Sequence, residues 1–182
     1  MQLLDYKGVI FVGKKYSCSH LKYNKWDLRV SPMESGIRSF SRVVRFFMYE
    51  TPGRNCSVHS QTELSRSKQE QIAKKMLKEL KDYRFLQKIQ AASWKNMSLD
   101  EDNLCFQCPR MICEINDGES ELNCLLRHLR NAFAHCNLSV KRTNNQTYIL
   151  LEDFKGKKCT ARIVMTNAIL NRWKTDIEEV LE

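Results

Sequence analysis

The stretch LLRHLRNAFAHCNL, Leu125 to Leu138, places two of the chain's four histidines and two arginines on one short segment. Histidine suits proton transfer, because its unperturbed pKa of about 6.5 lies close to neutral pH. Arginine stays cationic and can bond two phosphate oxygens at once. Phosphate chemistry would therefore need Arg130 and His135 to meet. Leu122, Leu125, Leu126, Leu129, Ala132, Phe133 and Cys136 recur at intervals of three and four, which predicts an amphipathic helix beginning near Glu119. At about 100° per residue, His128, Asn131 and His135 form one polar ridge beside the apolar stripe, while Arg130 lies about 140° around from His135. Within one helix the two are not neighbours. Either the length of the Arg130 side chain or a second copy of the helix across a two-fold axis has to bring them together.

CFQCPRMIC is the second candidate. Cys105 and Cys108 have the CxxC spacing of a zinc-ligand pair, and Cys113 and Cys124 would complete four. The second pair lacks knuckle spacing and Cys124 falls in the motif helix, so free buried thiols are the expected state and no metal is assigned. Cys136 beside His135 does not make a nucleophile and base pair, since adjacent helical residues diverge by about 100°.

The elements that must position these residues follow from periodicity. Ile37, Phe40, Val43, Val44, Phe47 and Met48 predict a helix from Ser35 to about Tyr49, stopped by Thr51-Pro52-Gly53. Ile72, Met76, Leu80 or Leu77, Tyr83, Leu86 and Ile89 predict a long helix over about 63–92, and a short one is expected around Pro109 to Ile115. TYILLEDF and CTARIVMT flank a turn at Lys155 to Lys158 and read as a β-hairpin with Gly156 in the turn. A last helix is expected from about Asn167 to Leu181. Met1 to about Val30 reads as one or two short strands or loop.

Length and charge bound the rest. With 182 residues the chain fits one domain. Residues 1–92 carry 18 basic and 8 acidic side chains against 12 and 13 in residues 93–182, so the attraction for polyanions lies upstream of the motif. Lys74, Lys75 and Lys78 on the long helix, with Arg42 and Arg45 before it, are the candidate RNA contacts. The first apolar run, Val9 to Val12, is short and bracketed by charge, and no run is long enough for a bilayer, so a cytoplasmic protein with no membrane association is expected. In a reducing compartment the eight cysteines stay free, and the four Asn-x-Ser/Thr sequons carry no information.

Arg130-Asn131-Ala132-Phe133-Ala134-His135 resembles the R-x4-H motif of HEPN ribonucleases, including the polar residue after the Arg. The resemblance extends over about 119–181, through the preceding apolar helix, the hairpin and the closing Trp-containing helix, and is to small bacterial HEPN nucleases. It implies a mainly α fold: a HEPN-like helical bundle with one β-hairpin after the motif helix. The expected division has an N-terminal extension at 1–33, a bundle at 34–136 that includes the motif helix, a hairpin at 146–165 and a C-terminal helix at 167–181. It further implies a homodimer with a composite site that cuts RNA without a cofactor, by attack of the 2′-hydroxyl on the adjacent phosphorus.

Carried onto this chain, Arg130 and His135 would be the catalytic pair, with Asn131 orienting them or the phosphate. His128 and Arg127 are auxiliary candidates. A free ribonuclease harms its own cell, so the implied setting is a toxin or anti-phage effector restrained by an antitoxin, a guide or an activating ligand. Where HEPN toxins controlled by AMP transfer carry a Tyr two residues after the His, this chain has Asn137. The alternative is a HEPN-like module that binds RNA without cutting it.

Overall fold

The structure is a computed structural model, and it describes residues 3–4, 10–11, 37, 40–52, 64–100, 104, 108–142 and 146–182. Strands β1 (Leu3–Leu4) and β2 (Ile10–Phe11) form a small antiparallel ladder. Helix α1 (Phe40–Arg45) widens into a π-helical turn over Phe46–Glu50, where the Thr51 amide reaches back to the Phe46 carbonyl. Then follow α2 (Arg66–Leu77), β3 (Asp82–Leu86), α3 (Ala91–Asn96), β4 (Arg110–Glu114), α4 (Glu121–Ala134), β5 (Leu138–Arg142), β6 (Thr147–Lys155), β7 (Lys158–Thr166) and α5 (Asn167–Leu181).

The centre is a five-stranded mixed sheet in the order β3-β4-β7-β6-β5. β3 and β4 run parallel, which requires a crossover, and α3 lies in it; the remaining pairs are antiparallel. This overturns the expected mainly α bundle with a lone hairpin, because the fold is α/β. The hairpin is present as β6 and β7, with Gly156 at φ +62° in its turn, but it forms the middle of a larger sheet. Strand β5 was not expected, and it pairs with β6 along one edge.

The correction has a single physical cause. Both faces of the sheet are covered, so its strands lose the alternating polar pattern that separates a strand from a helix. On one face Phe85, Met111, Cys113, Ile149, Leu151 and Ile163 meet α1, α2, α4 and α5; on the other Leu86, Ile112, Leu150 and Val164 meet Met97, Leu99 and Leu104. The helix expected over 63–92 accordingly ends at Leu77, and Asp82–Leu86 is a strand. Ile72 and Met76 are buried as the helical stripe requires, but Tyr83 is 42% exposed, and Leu86 and Ile89 belong to the opposite face of the sheet. The short helix expected at 109–115 is β4, whose Met111, Ile112 and Cys113 are all fully buried.

Elements with clear caps lie where their residues indicate. Ser120 caps α4 by accepting from the Asn123 amide at 3.2 Å, and Thr166 caps α5 by accepting from the Ile169 amide at 3.2 Å. The Trp173 indole donates to the Met76 carbonyl at 2.7 Å, tying α5 to α2. Among the described residues no helix is long and apolar enough to cross a membrane.

Candidate functional site

The apolar stripe of α4 packs on the sheet, so the helix is fixed along one side and its polar residues are sorted by depth. Leu122, Leu125, Leu126, Leu129, Ala132 and Phe133 are all buried. His128, expected on the polar ridge beside the apolar stripe, is 1% exposed. Its Nδ1 lies 2.7 Å from Asp153 Oδ2 on β6 and its Nε2 lies 2.8 Å from the Glu114 carbonyl at the end of β4. A carbonyl only accepts, so Nε2 carries a proton; an ionised carboxylate only accepts, so Nδ1 carries one too. Burial alone would push the imidazole toward neutrality, but the Asp153 carboxylate and the neighbouring Cys124 outweigh it and raise its pKa to about 9. Burial likewise works against the Asp153 carboxylate, and the bonds from His128 and Asn131 overcome it, holding its pKa below the ordinary value.

Asn131 shares that carboxylate, its Nδ2 donating to Asp153 Oδ2 at 3.0 Å. Arg127 faces the other way. Its Nε and Nη2 hold both Glu119 oxygens at 2.8 Å, and Nη2 also donates to the Glu114 carbonyl at 2.9 Å. Glu119 is thereby kept ionised against the cost of its burial. The Glu114 carbonyl collects donors from three α4 side chains, the third being the Cys124 thiol at 3.5 Å. The Cys124 thiol is lowered to about 7 by Cys113, with His128 adding to the effect against burial, while burial and Cys124 push Cys113 well up.

Arg130 is half-buried and turned toward the π-helical turn. Its Nε donates to the Phe47 carbonyl at 3.2 Å, and its Nη2 to Thr51 Oγ1 at 2.7 Å and to the Thr51 and Pro52 carbonyls at 3.2 and 3.0 Å. It closes the C-terminal end of that turn. His135 stands beyond the last turn of α4, as its C-cap, and is exposed; it makes no side-chain hydrogen bond among the described residues. Cys136 follows with φ +53° and reverses the chain into β5.

The motif residues thus divide three ways: Asn131 and His128 converge on Asp153, Arg130 holds the turn before Gly53, and His135 points to solvent. Arg127, Arg130 and Asn131 line a hollow of about 390 Å³ with Asn116, Asn123 and the carboxylates of Asp117 and Glu119. A second hollow of about 770 Å³ shares Gly118, Glu119 and Asn123 with it, and Lys74, Lys78 and Tyr83 lie along its wall. Of the other candidate RNA contacts, Lys75 is paired with Glu179 on α5 at 2.9 Å and Arg45 with Glu50 at 3.3 Å, and Arg42 is exposed on α1. Of the cysteine set, Cys105 lies outside the described residues, Cys108 is buried, and Cys113 and Cys124 adjoin across β4 and α4. Among the described residues no group of three or more His, Cys, Asp or Glu side chains could hold a metal ion.

Asp153 is the residue that the reading of the sequence missed. Strand alternation in TYILLEDF contains the signal, because it puts Ile149, Leu151 and Asp153 on one face of β6. An acid continuing an apolar face into a core should find a buried partner. A family model described as HEPN pEK499 p136 matches residues 57–182. No curated protein and no solved structure matched the chain.

Proposed function

Because the chain belongs to the HEPN pEK499 p136 family, we propose that it is an endoribonuclease whose site is built on the C-terminal half of α4. The observation that carries this reading is the setting of His135: exposed, at the end of a helix packed on the sheet, and with its ring nitrogens uncommitted among the described residues. A proton-transfer group needs that access. One His135 takes the proton of a ribose 2′-hydroxyl as that oxygen attacks the adjacent phosphorus. The bond from phosphorus to the 5′-oxygen breaks, and a proton delivered to that oxygen completes the step, leaving a 2′,3′-cyclic phosphate and a 5′-hydroxyl.

In this reading solvent water delivers that proton, and the site is composite, formed in a homodimer. Arg130 stabilises the charge that builds on the phosphate oxygens, by reach from its place on the turn or across the dimer. The steps need no metal ion, so cleavage persists in EDTA. The cellular role is a toxin or anti-phage effector held in check by a regulatory partner, and the compartment is the cytoplasm.

Incubation of purified protein with RNA in EDTA, followed by end mapping, tests the reaction. Products with 2′,3′-cyclic phosphate ends that disappear with His135→Ala are the expected result, and cleavage by His135→Ala at the wild-type rate overturns it. Mixing Arg130→Ala with His135→Ala chains restores partial activity if the site is shared, and a fully active monomer by light scattering overturns the dimer.

A second reading has one observation in its favour. Arg130 is committed to the Phe47, Thr51 and Pro52 backbone, as a structural arginine would be. A module that binds RNA without cutting it would keep that arrangement, and intact RNA recovered bound to wild-type protein would select it.

A further inference from the structure

Pro52 leaves an opening in the π-helical turn that Arg130 fills. Such a turn bonds each amide to the carbonyl five residues back, as Thr51 does with Phe46. The amide due to the Phe47 carbonyl would be that of Pro52, which has no N–H to give. The Thr51 hydroxyl donates to that carbonyl instead, at 3.1 Å, and Arg130 Nε joins it there at 3.2 Å. With its only hydrogen committed to Phe47, the buried Thr51 hydroxyl presents lone pairs to the guanidinium and accepts from Nη2 at 2.7 Å.

A guanidinium grips a phosphate through two parallel N–H groups, either Nε with Nη2 along its side or both Nη groups at its end. Nη2 belongs to both forks. Its hydrogens are shared among Thr51 Oγ1 and the Pro52 and Thr51 carbonyls, the last two at 3.0 and 3.2 Å, and Nε is held by Phe47. Neither fork is open to a phosphate while Arg130 stays on the turn. These oxygens are neutral, so they hold the side chain without cancelling its charge, and the hollow that Arg130 borders gives it room to leave. We infer that the turn over Phe46–Glu50, with Thr51 and Pro52, is an autoinhibitory latch: it stores Arg130 away from phosphate, and the site becomes competent when Arg130 leaves. The fraction of chains in which it has left sets the basal activity. The latch rests on the reading of Arg130 as the residue that meets the phosphate, and it adds the control of that residue.

Thr51→Val is the decisive variant, because it keeps the shape of a buried side chain and removes the oxygen that Arg130 holds most closely. The latch predicts that the initial rate of RNA cleavage in EDTA rises about tenfold, the weight of one hydrogen bond to a charged group. Thr51→Ser keeps the hydroxyl and cuts at the wild-type rate. The rise vanishes when Arg130→Ala is added, since the effect acts through Arg130. A folded Thr51→Val that cuts no faster than wild type, or a gain that survives Arg130→Ala, overturns the inference. A turn that only braces the fold gives the first of these results, with a lowered melting temperature.

Where Thr51→Val does not fold, or where no RNA is cut, the wild-type chain decides by nuclear magnetic resonance. With ¹⁵N-labelled arginine, the Arg130 Nε–H signal is identified by its loss in Arg130→Ala, and in the free protein it shows Overhauser contacts to Thr51. Saturation with a short 2′-O-methyl RNA, which lacks the attacking hydroxyl, should abolish those contacts and shift the signal. Contacts that persist in the complex overturn the latch. Cleavage by wild type with Arg130 still on the turn sinks the latch and leaves the ribonuclease reading standing. Release of Arg130 by RNA that is never cut does the reverse.

Discussion

The middle and the end of α4 hold the same residue type in opposite settings. At the middle, His128 is buried with both nitrogens bonded, to a β6 carboxylate and a β4 carbonyl. At the end, seven residues on, His135 is exposed and uncommitted among the described residues. Helical geometry placed them almost in line, since seven residues are close to two turns. The ridge they share dips into the sheet at one end and leaves it at the other. Residue type gave both the capacity to move protons, and the neighbours left that capacity to one of them.

Each substitution below probes that contrast, beginning with the largest effect. His135→Ala should lower the RNA cleavage rate by about 10²- to 10⁴-fold and leave the free energy of urea unfolding within about 0.5 kcal/mol of wild type, as surface changes do. A marked loss of stability would show that His135 is not the open member of the pair. His128→Ala should reverse the pattern. It leaves the Asp153 carboxylate buried without its cation, at a cost of about 3–5 kcal/mol in urea unfolding. A variant as stable as wild type would break the comparison outright.

The same ion pair sets a pH dependence. A pKa raised from 6.5 to about 9 means that His128 contributes its stabilisation fully below pH 6.5 and loses it as pH rises through about 9. The loss amounts to about 3 kcal/mol. The Cys124 thiol, lowered to about 7 by Cys113 and then His128, opposes this, because its thiolate gains stability over the same range. Unfolding of Cys124→Ser as a function of pH should therefore show the alkaline loss without that opposing contribution, displaced to lower pH. A flat profile to pH 10 would mean that His128 is neutral in the fold.

Arg130→Ala removes the donors that close the turn at Phe47, Thr51 and Pro52, and should cost about 1–3 kcal/mol. Its effect on cleavage sharpens the comparison, because a full loss of activity with a small change in melting assigns Arg130 to the open region and the reverse assigns it to the buried one. Ser120→Ala, which removes the cap of α4 and its 2.7 Å bond to Gln69, should cost about 1 kcal/mol and leave cleavage unchanged.

The parts of the molecule that could be read from residues alone are those whose signal is local. The 3–4 spacing of leucines marked α4, the closing Trp-containing segment marked α5, and the Gly156 turn marked the β6–β7 hairpin. Arg130, Asn131 and His135 were found because a motif is local as well. Phe85 and Leu86, or Met111, Ile112 and Cys113, gave no such signal. Neighbours in sequence are buried on opposite faces of one sheet, and a run of that kind fits a helix equally well.

The order of residues therefore fixed a capped helix, its buried leucines and the chemistry its polar residues could carry. The tertiary structure decided which of them carry it. Asp153 lies twenty-two residues from Asn131 and twenty-five from His128, and only the packing of α4 on β6 brings the three together. Arg130 reaches back across about eighty residues to a turn that no spacing within the motif could indicate. Such contacts form because a buried charge must find its partner wherever the fold presents one, and sequence distance has no part in that requirement.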